Sequence, residues 1–285
     1  MPQILVVGSD DQFCLGLQTV VDSISGQELG LRIKTTTSAD LAAKWLELGG
    51  FAAVVFDPRL DFEIQSRLAS ALWDKNLIAP FILYDPDRSL RHEAQSRLIG
   101  SEPFFGIGAR QRLEQTLKTL ASLGDKLGTA GVLKVAVVED LDSPRDIICT
   151  YLEGVDDLQT VGFADVDSCL ASLEADSSRF DFIITDIRMP RRSGADLIEA
   201  VRASTNPKIK NIPVIVLTAY GTADTMIECL KAGATGFMVK PPKKKDLKSE
   251  IYRVRRILAY SMDPRMVFTH EFDKMKEMLA SKGLF

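Results

Sequence analysis

Short apolar runs that end in acidic residues set the rhythm of this chain. Ile4-Leu5-Val6-Val7 is followed by Asp10 and Asp11, and Val135-Ala136-Val137-Val138 by Glu139 and Asp140. Phe51 to Phe56 runs into Asp57 as Phe182 to Thr185 runs into Asp186. Uninterrupted apolar runs of this length fit strands covered on both faces. The acidic pairs stand at the same sequence interval as Asp57 and Asp186, which points to a duplicated domain rather than a short-period solenoid.

In the second half, strand and helix patterns alternate. After the strand at Val135–Val138, Ser143-Pro144 reads as an N-cap with proline at the first helical position. Ile147, Ile148, Tyr151 and Leu152 follow at helical spacing. A weak strand spans Thr160–Phe163, and a helix Ser168–Leu173. The strand Phe182–Thr185 precedes a helix over Ala195–Arg202. Pro213 opens the strand Val214–Leu217, and the helix Ala223–Ala232 stops at Gly233, a natural C-cap. The strand Gly236–Val239 and a helix over Asp246–Ala259 complete the set. Five βα units in succession call for a parallel, doubly wound sheet with right-handed crossovers. The expected domains are 1–122 and 133–260, joined by a glycine-containing linker at 123–132 and followed by a helical tail at 261–285.

Composition narrows the class. With 46% hydrophobic and 26% charged residues, each half can bury its own core. A net charge of −4 gives no support to a wholesale nucleic-acid binder. The apolar runs are too short to span a bilayer, and Met1 to Leu5 does not read as a signal peptide. Cys14, Cys149, Cys169 and Cys229 are widely spaced, with only His92 and His270 to assist them, so buried reduced thiols are expected rather than zinc or disulfides. A cytoplasmic, non-membrane protein is the corresponding expectation.

Candidate chemistry sits at the strand ends of the second half. Glu139 and Asp140, Asp186, Thr218 and Lys240 each follow or close an apolar run. In a parallel sheet these ends share one rim, at the topological switch point where such folds bind ligands. Carboxylates crowded in one cleft raise one another's pKa, and a hard divalent cation offsets that cost. A lysine adds a fixed positive charge and a threonine a hydroxyl donor. Phosphoryl transfer to a carboxylate needs this combination.

The strings Val-Val-Glu-Asp at 137–140, Asp-Ile-Arg-Met-Pro at 186–190, Val-Leu-Thr-Ala at 216–219 and Lys-Pro at 240–241 resemble the receiver domain of bacterial response regulators. The likeness covers about 131–260. It implies a flavodoxin-like fold of sheet order 2-1-3-4-5, with Asp186 as phosphoacceptor. It also implies Mg²⁺ held by Asp140, Asp186 and the backbone carbonyl of Arg188, with Glu139 acting through water. Lys240 would pair with an acyl-phosphate oxygen, Thr218 would swing to the phosphoryl group, and Phe237 would turn inward with it. A cis Lys240-Pro241 bond belongs to the same likeness. Arg188 and Tyr220 stand two places after Asp186 and Thr218. Both are bulky, and the expectation is that they shield the phosphoryl group from water.

The first half resembles a receiver more loosely. Asp57 takes the acceptor position. Asp10 and Asp11 serve as the acidic pair in one alignment, and Gly8 and Ser9 take those places in another. Asp85 stands where the second half has Thr218, and the expected strand Phe104–Gly108 has no lysine near its end. This half reads as a degenerate receiver used for interaction.

Phe268, Phe272, Met275 and Leu279 form one apolar stripe of a tail helix, for packing at home or for a dimer or partner contact. Lys243–Lys245 with Arg253, Arg255 and Arg256 make the last helix of the second half basic, as a solvated face or one for an acidic partner. No helix-turn-helix is evident and no third domain is left to hold one, so direct DNA binding is not expected, nor a cyclase, kinase or phosphodiesterase module. The partners implied are a sensor histidine kinase or phosphotransfer protein and a downstream protein target. A non-phosphorylated scaffold is the alternative. An Asp-nucleophile phosphohydrolase is a further one, although it wants an acid where Arg188 stands.

Overall fold

The computed structural model describes residues 2–25, 30–87, 92, 96, 99–123, 131–154 and 157–265. Most of the expected linker, and the tail stripe Phe268, Phe272, Met275 and Leu279, lie outside the described residues. The chain divides into two compact units, one of residues up to Thr129 and one from Ala130 to Leu258.

In the first unit, β1 (Gln3–Val7), β2 (Arg32–Thr36), β3 (Phe51–Phe56), β4 (Phe81–Asp85) and β5 (Glu102–Phe105) form a parallel sheet in the order β2-β1-β3-β4-β5. In the second, β6 (Leu133–Val138), β7 (Leu158–Phe163), β8 (Phe182–Thr185), β9 (Val214–Thr218) and β10 (Gly236–Val239) are ordered β7-β6-β8-β9-β10. Both sheets therefore have the 2-1-3-4-5 order of a flavodoxin-like fold. The order reverses between β1 and β3, and between β6 and β8, so each unit has a crevice at the carboxyl ends of those strands.

Burial follows strand position. Central strands β8 and β9 are buried throughout, whereas edge strand β7 is mostly half-buried or exposed. Alternate residues of the second sheet, such as Val135, Phe182 and Ile215, share a core with Leu152, Leu247 and Ile251 of the helices Asp142–Glu153 and Lys244–Tyr260.

Helix ends agree with the expected boundaries within two or three residues, with one correction. The helix Asp142–Glu153 has Leu141, not Ser143, at its N-cap, and no side chain caps it. Asp142 enters the first turn, and Arg145 donates to the Glu139 carbonyl at 2.8 Å, anchoring this entry from inside the helix. Gly233 closes the helix Ala223–Ala232 with φ +91°, a left-handed position that glycine adopts without cost. The expected strand Phe104–Gly108 is β5 ending at Phe105, followed by a 3-10 turn Gly106–Gly108.

The expectation of a solvated basic face on the last helix is also corrected. Lys243–Lys245 are exposed, but Arg253, Arg255 and Arg256 are buried. Arg253 pairs with Glu250 at 2.8 Å and donates to the Thr235 carbonyl, and Arg255 donates to the Gly131 carbonyl at 3.0 Å. The guanidinium groups of Arg253 and Arg255 thus turn to acceptors of the protein rather than to water. All four cysteines are free thiols, and burial pushes Cys169 and Cys229 up to about 12. No helix among the described residues is long and apolar enough to cross a membrane.

Candidate functional site at the carboxyl rim of the second sheet

The rim is assembled by backbone hydrogen bonds that fix where each strand stops. Glu139 N donates to the Phe163 carbonyl at 3.0 Å, Asp186 N to Val138 at 2.9 Å and Lys240 N to Thr218 at 2.8 Å. These ladder bonds place the first residues past β6, β8 and β10 side by side.

Asp186 is buried, and its carboxylate is held from two sides. Oδ1 accepts from the backbone amides of Ile187 at 2.5 Å and Arg188 at 3.3 Å. Oδ2 accepts from Lys240 Nζ at 2.7 Å. The same ammonium donates to Glu139 Oε2 at 2.5 Å. Burial alone pulls the Lys240 pKa down. Its hydrogen bonds to Asp186 and Glu139 outweigh that and hold it above the ordinary lysine value. The Lys240-Pro241 bond is cis.

Of the expected site residues, Glu139, Asp186 and Lys240 are in direct contact. Asp140 is half-buried beside Glu139. Among the described residues no three His, Cys, Asp or Glu side chains are grouped so as to hold a metal ion as they stand. Glu139 and Asp186 turn to the ammonium instead. Thr218 is buried at the end of β9, its Oγ1 accepting from Tyr220 N at 3.2 Å. Phe237 is fully buried. Arg188 stacks its guanidinium 5.9 Å from the Tyr220 ring centroid, so the two bulky residues form one pair beside the carboxylate.

Gly194 did not stand out in the sequence. It begins the helix Gly194–Ala203, which Ser193 and Asp196 cap reciprocally, and it lies directly against the backbone of Asp186. The available signal was the Ser193-Gly194 pair just past the loop that follows Asp186.

The corresponding rim of the first sheet is built differently. Gly8 N donates to the Thr36 carbonyl as Glu139 N does to Phe163, and Asp57 N to Val7 as Asp186 N does to Val138. Gly8 and Ser9 therefore occupy the acidic-pair places, which decides between the two alignments. Asp10 lies one residue beyond. Asp85 ends β4 as Thr218 ends β9. The pairing of Asp85 with Phe105, and of Thr218 with Val239, puts Gly106 where Lys240 stands.

The second unit is thus a doubly wound α/β domain with an acid–lysine–acid cluster at the switch point of its parallel sheet. Residues 135–252 match the family model of the response regulator receiver domain. The chain is 35% identical over 122 residues to the chemotaxis protein CheY of Pseudomonas aeruginosa, covering 43% of this chain and 95% of that protein. It is 31% identical over 123 residues to CheY-3 of Vibrio cholerae, covering 43% and 91%. A solved structure of the Vibrio cholerae chemotaxis response regulator CheY4 matches at 32% identity with TM-score 0.38, covering 43% and 98%. The chain belongs to the receiver family of two-component response regulators.

Proposed function

We propose that the second unit accepts a phosphoryl group on Asp186 from a phosphohistidine donor, a sensor histidine kinase or phosphotransfer protein, and then changes its protein contacts. The observation that carries this is Lys240 Nζ lying between Asp186 and Glu139. An Asp186 oxygen forms the bond to phosphorus as the bond from phosphorus to the donor nitrogen breaks. The backbone amides of Ile187 and Arg188 orient the carboxylate, and Lys240 remains as a fixed cation for the incoming phosphoryl oxygens.

The donors at this rim fit Mg²⁺. Glu139, Asp140, Asp186 and the Arg188 carbonyl are hard oxygen ligands, and Mg²⁺ takes one or two carboxylates with waters and phosphate oxygens. When bound, it neutralises charge on the transferred group. Thr218 and Phe237 are the residues to respond to the new charge, and the faces that carry the response outward are the helix Ala223–Ala232, β10 and the helix Lys244–Tyr260. The first unit serves as a degenerate receiver for interaction, and the tail as a contact element. The setting is the cytoplasm, with no DNA or membrane contact. An aspartate-based phosphohydrolase is disfavoured because Arg188 fills the place of its second acid.

Incubation with acetyl phosphate and Mg²⁺, read by intact mass and sizing, tests the proposal. Wild type is expected to gain one phosphoryl group, mapped to Asp186, and Asp186→Asn or removal of Mg²⁺ is expected to prevent it. Phosphorylation of wild type at another residue would refute the assignment.

The Arg188–Tyr220 pair gives a second prediction. Both side chains are exposed and touch each other two residues past Asp186 and Thr218, and on the shielding reading breaking their contact opens a path for water. Arg188→Ala or Tyr220→Ala should speed loss of the phosphoryl group about two- to five-fold, the rate equivalent of about 0.5–1 kcal/mol for an exposed cation–π contact. Unchanged dephosphorylation rates would reject the shielding role.

A further inference from the structure

We infer that Arg59 serves the first unit as a built-in counter-cation. It saturates the buried carboxylate of Asp57, so this half takes no phosphoryl group and keeps one state while the second unit switches. The geometry is specific. Asp57 is fully buried, and five donors reach its two oxygens. Oδ2 accepts from Ser9 N at 3.0 Å, Ser9 Oγ at 2.7 Å and Arg59 Nη2 at 2.7 Å. Oδ1 accepts from Arg59 N at 2.9 Å and Arg59 Nε at 3.0 Å. A carboxylate offers about four lone-pair sites, so this shell is full. The remaining arm of the fork, Arg59 Nη1, holds Asp10 Oδ2 at 2.9 Å.

Every substitution between the two rims points the same way. The acids at Glu139 and Asp140 are replaced by Gly8 and by Ser9, whose hydroxyl donates to the carboxylate rather than ligating a cation. Thr218 is replaced by Asp85 and Lys240 by Gly106. The positive charge that Lys240 brings from a distant strand comes instead from two residues along the chain. Arg188 occupies that same place in the second unit, but it turns to Tyr220 and leaves Asp186 to Lys240. A planar bidentate fork binds a carboxylate more rigidly than an ammonium does. Burial pushes the Asp57 carboxyl up, and the hydrogen bonds from Arg59 and Ser9 more than reverse this, leaving it below the ordinary range.

A cleft of about 510 Å³ lined by Asp10, Phe13, Asp57, Arg59, Tyr84 and Asp85 opens onto the group. Arg59 itself is 54% exposed while the Asp57 side chain keeps no exposed surface, so burial and pairing together withhold this carboxylate.

Two measurements on the full chain test the inference. In the first, the Asp186→Asn chain is incubated with acetyl phosphate and Mg²⁺ and mapped by mass spectrometry. Asp57 is expected to stay unmodified, and a phosphoryl group there overturns the inference. In the second, unfolding is followed by tryptophan fluorescence, since Trp45 and Trp73, the two tryptophans of the chain, both lie in the first unit. Arg59→Ala strands a buried carboxylate and should lower the folded-to-unfolded ratio of this unit about tenfold or more, and adding Asp57→Asn should restore most of that loss. Simple addition of the two single effects would show that Arg59 does not neutralise Asp57. If Arg59→Ala does not fold, the mass measurement stands by itself.

Discussion

Replacing Lys240 with methionine will slow phosphoryl uptake at Asp186 by about 10²–10³-fold, the range observed when one preorganised electrostatic donor is removed from a transition state. Lys240 is the residue whose side chain joins Asp186 to Glu139 across the rim. Methionine keeps its length and packing but removes the charge, leaving two buried carboxylates without the ammonium they share. Phosphoryl oxygens entering the cleft would then add negative charge to an uncompensated pair. Initial rates with acetyl phosphate, measured beside far-UV circular dichroism to confirm folding, check this. Uptake within a few-fold of wild type would show that Lys240 acts only in structure.

The same substitution has a stability signature with a definite sign. The folded-state pKa of Lys240 lies above its ordinary value, so the folded state binds this proton more tightly than the unfolded chain does. Its contribution is fully present below the unfolded lysine value of about 10.4 and is lost as pH rises through the folded value. At neutral pH, Lys240→Met should therefore destabilise the second unit by about 1–3 kcal/mol, the cost of buried acceptors losing their donor. The gap from wild type should narrow only in strongly alkaline solution.

Legibility in the sequence followed burial. Central strands carry continuous apolar runs because both faces are covered, so Val135–Val138, Phe182–Thr185 and Val214–Leu217 were readable at once. Edge strand β2, Arg32–Thr36, has no such run. Edge strand β7 extends from Leu158 although the sequence pattern indicates only Thr160–Phe163, because one side of an edge strand faces water and tolerates polar residues. The rim residues Glu139, Asp186 and Lys240 were legible because each follows an apolar run in a sheet that must gather strand ends.

What failed to show were groups whose role depends on their neighbours in space. Arg253, Arg255 and Arg256 read as a solvated face, since a sequence lists charges but neither their burial nor the carbonyls that Arg253 and Arg255 meet. The acidic pair of the first half was ambiguous because Asp10 and Asp11 mimic Glu139 and Asp140 at a constant interval. Only the bonds Gly8 to Thr36 and Asp57 to Val7 set the true register. Arg59 was invisible for a related reason. Its position matches that of Arg188, and the difference between them is which partner each side chain turns toward.

Gly194→Ala should unfold or rebuild the second site, with a loss of about 3 kcal/mol or more, because the collision is with backbone that cannot move aside. A Cβ at Gly194 would lie 2.1 Å from the Asp186 carbonyl oxygen, 3.0 Å from its carbon and 3.1 Å from Ile187 Cα. Those atoms are fixed in turn. Asp186 N is bonded to Val138, the Asp186 carbonyl accepts from Thr185 Oγ1 at 2.8 Å, and Gly194 N donates to Ile187 at 3.1 Å. Gly194 has no left-handed backbone to protect, so the requirement is space alone. Relief requires either the helix Gly194–Ala203 to withdraw or the Asp186 carbonyl to turn, and the second outcome takes the acceptor carboxylate away from Lys240. The substitution should therefore lower stability and phosphoryl uptake together. Gly16→Ala is the control, since nothing lies within 4 Å of its added Cβ and it sits in the helix Asp11–Ser25, where alanine should stabilise by up to about 1 kcal/mol. Urea unfolding of Gly194→Ala followed by far-UV circular dichroism should lose its wild-type midpoint while the tryptophan transition of the first unit stays in place. An unshifted dichroism transition with normal uptake would mean that the acceptor loop yields where its hydrogen bonds say it should hold.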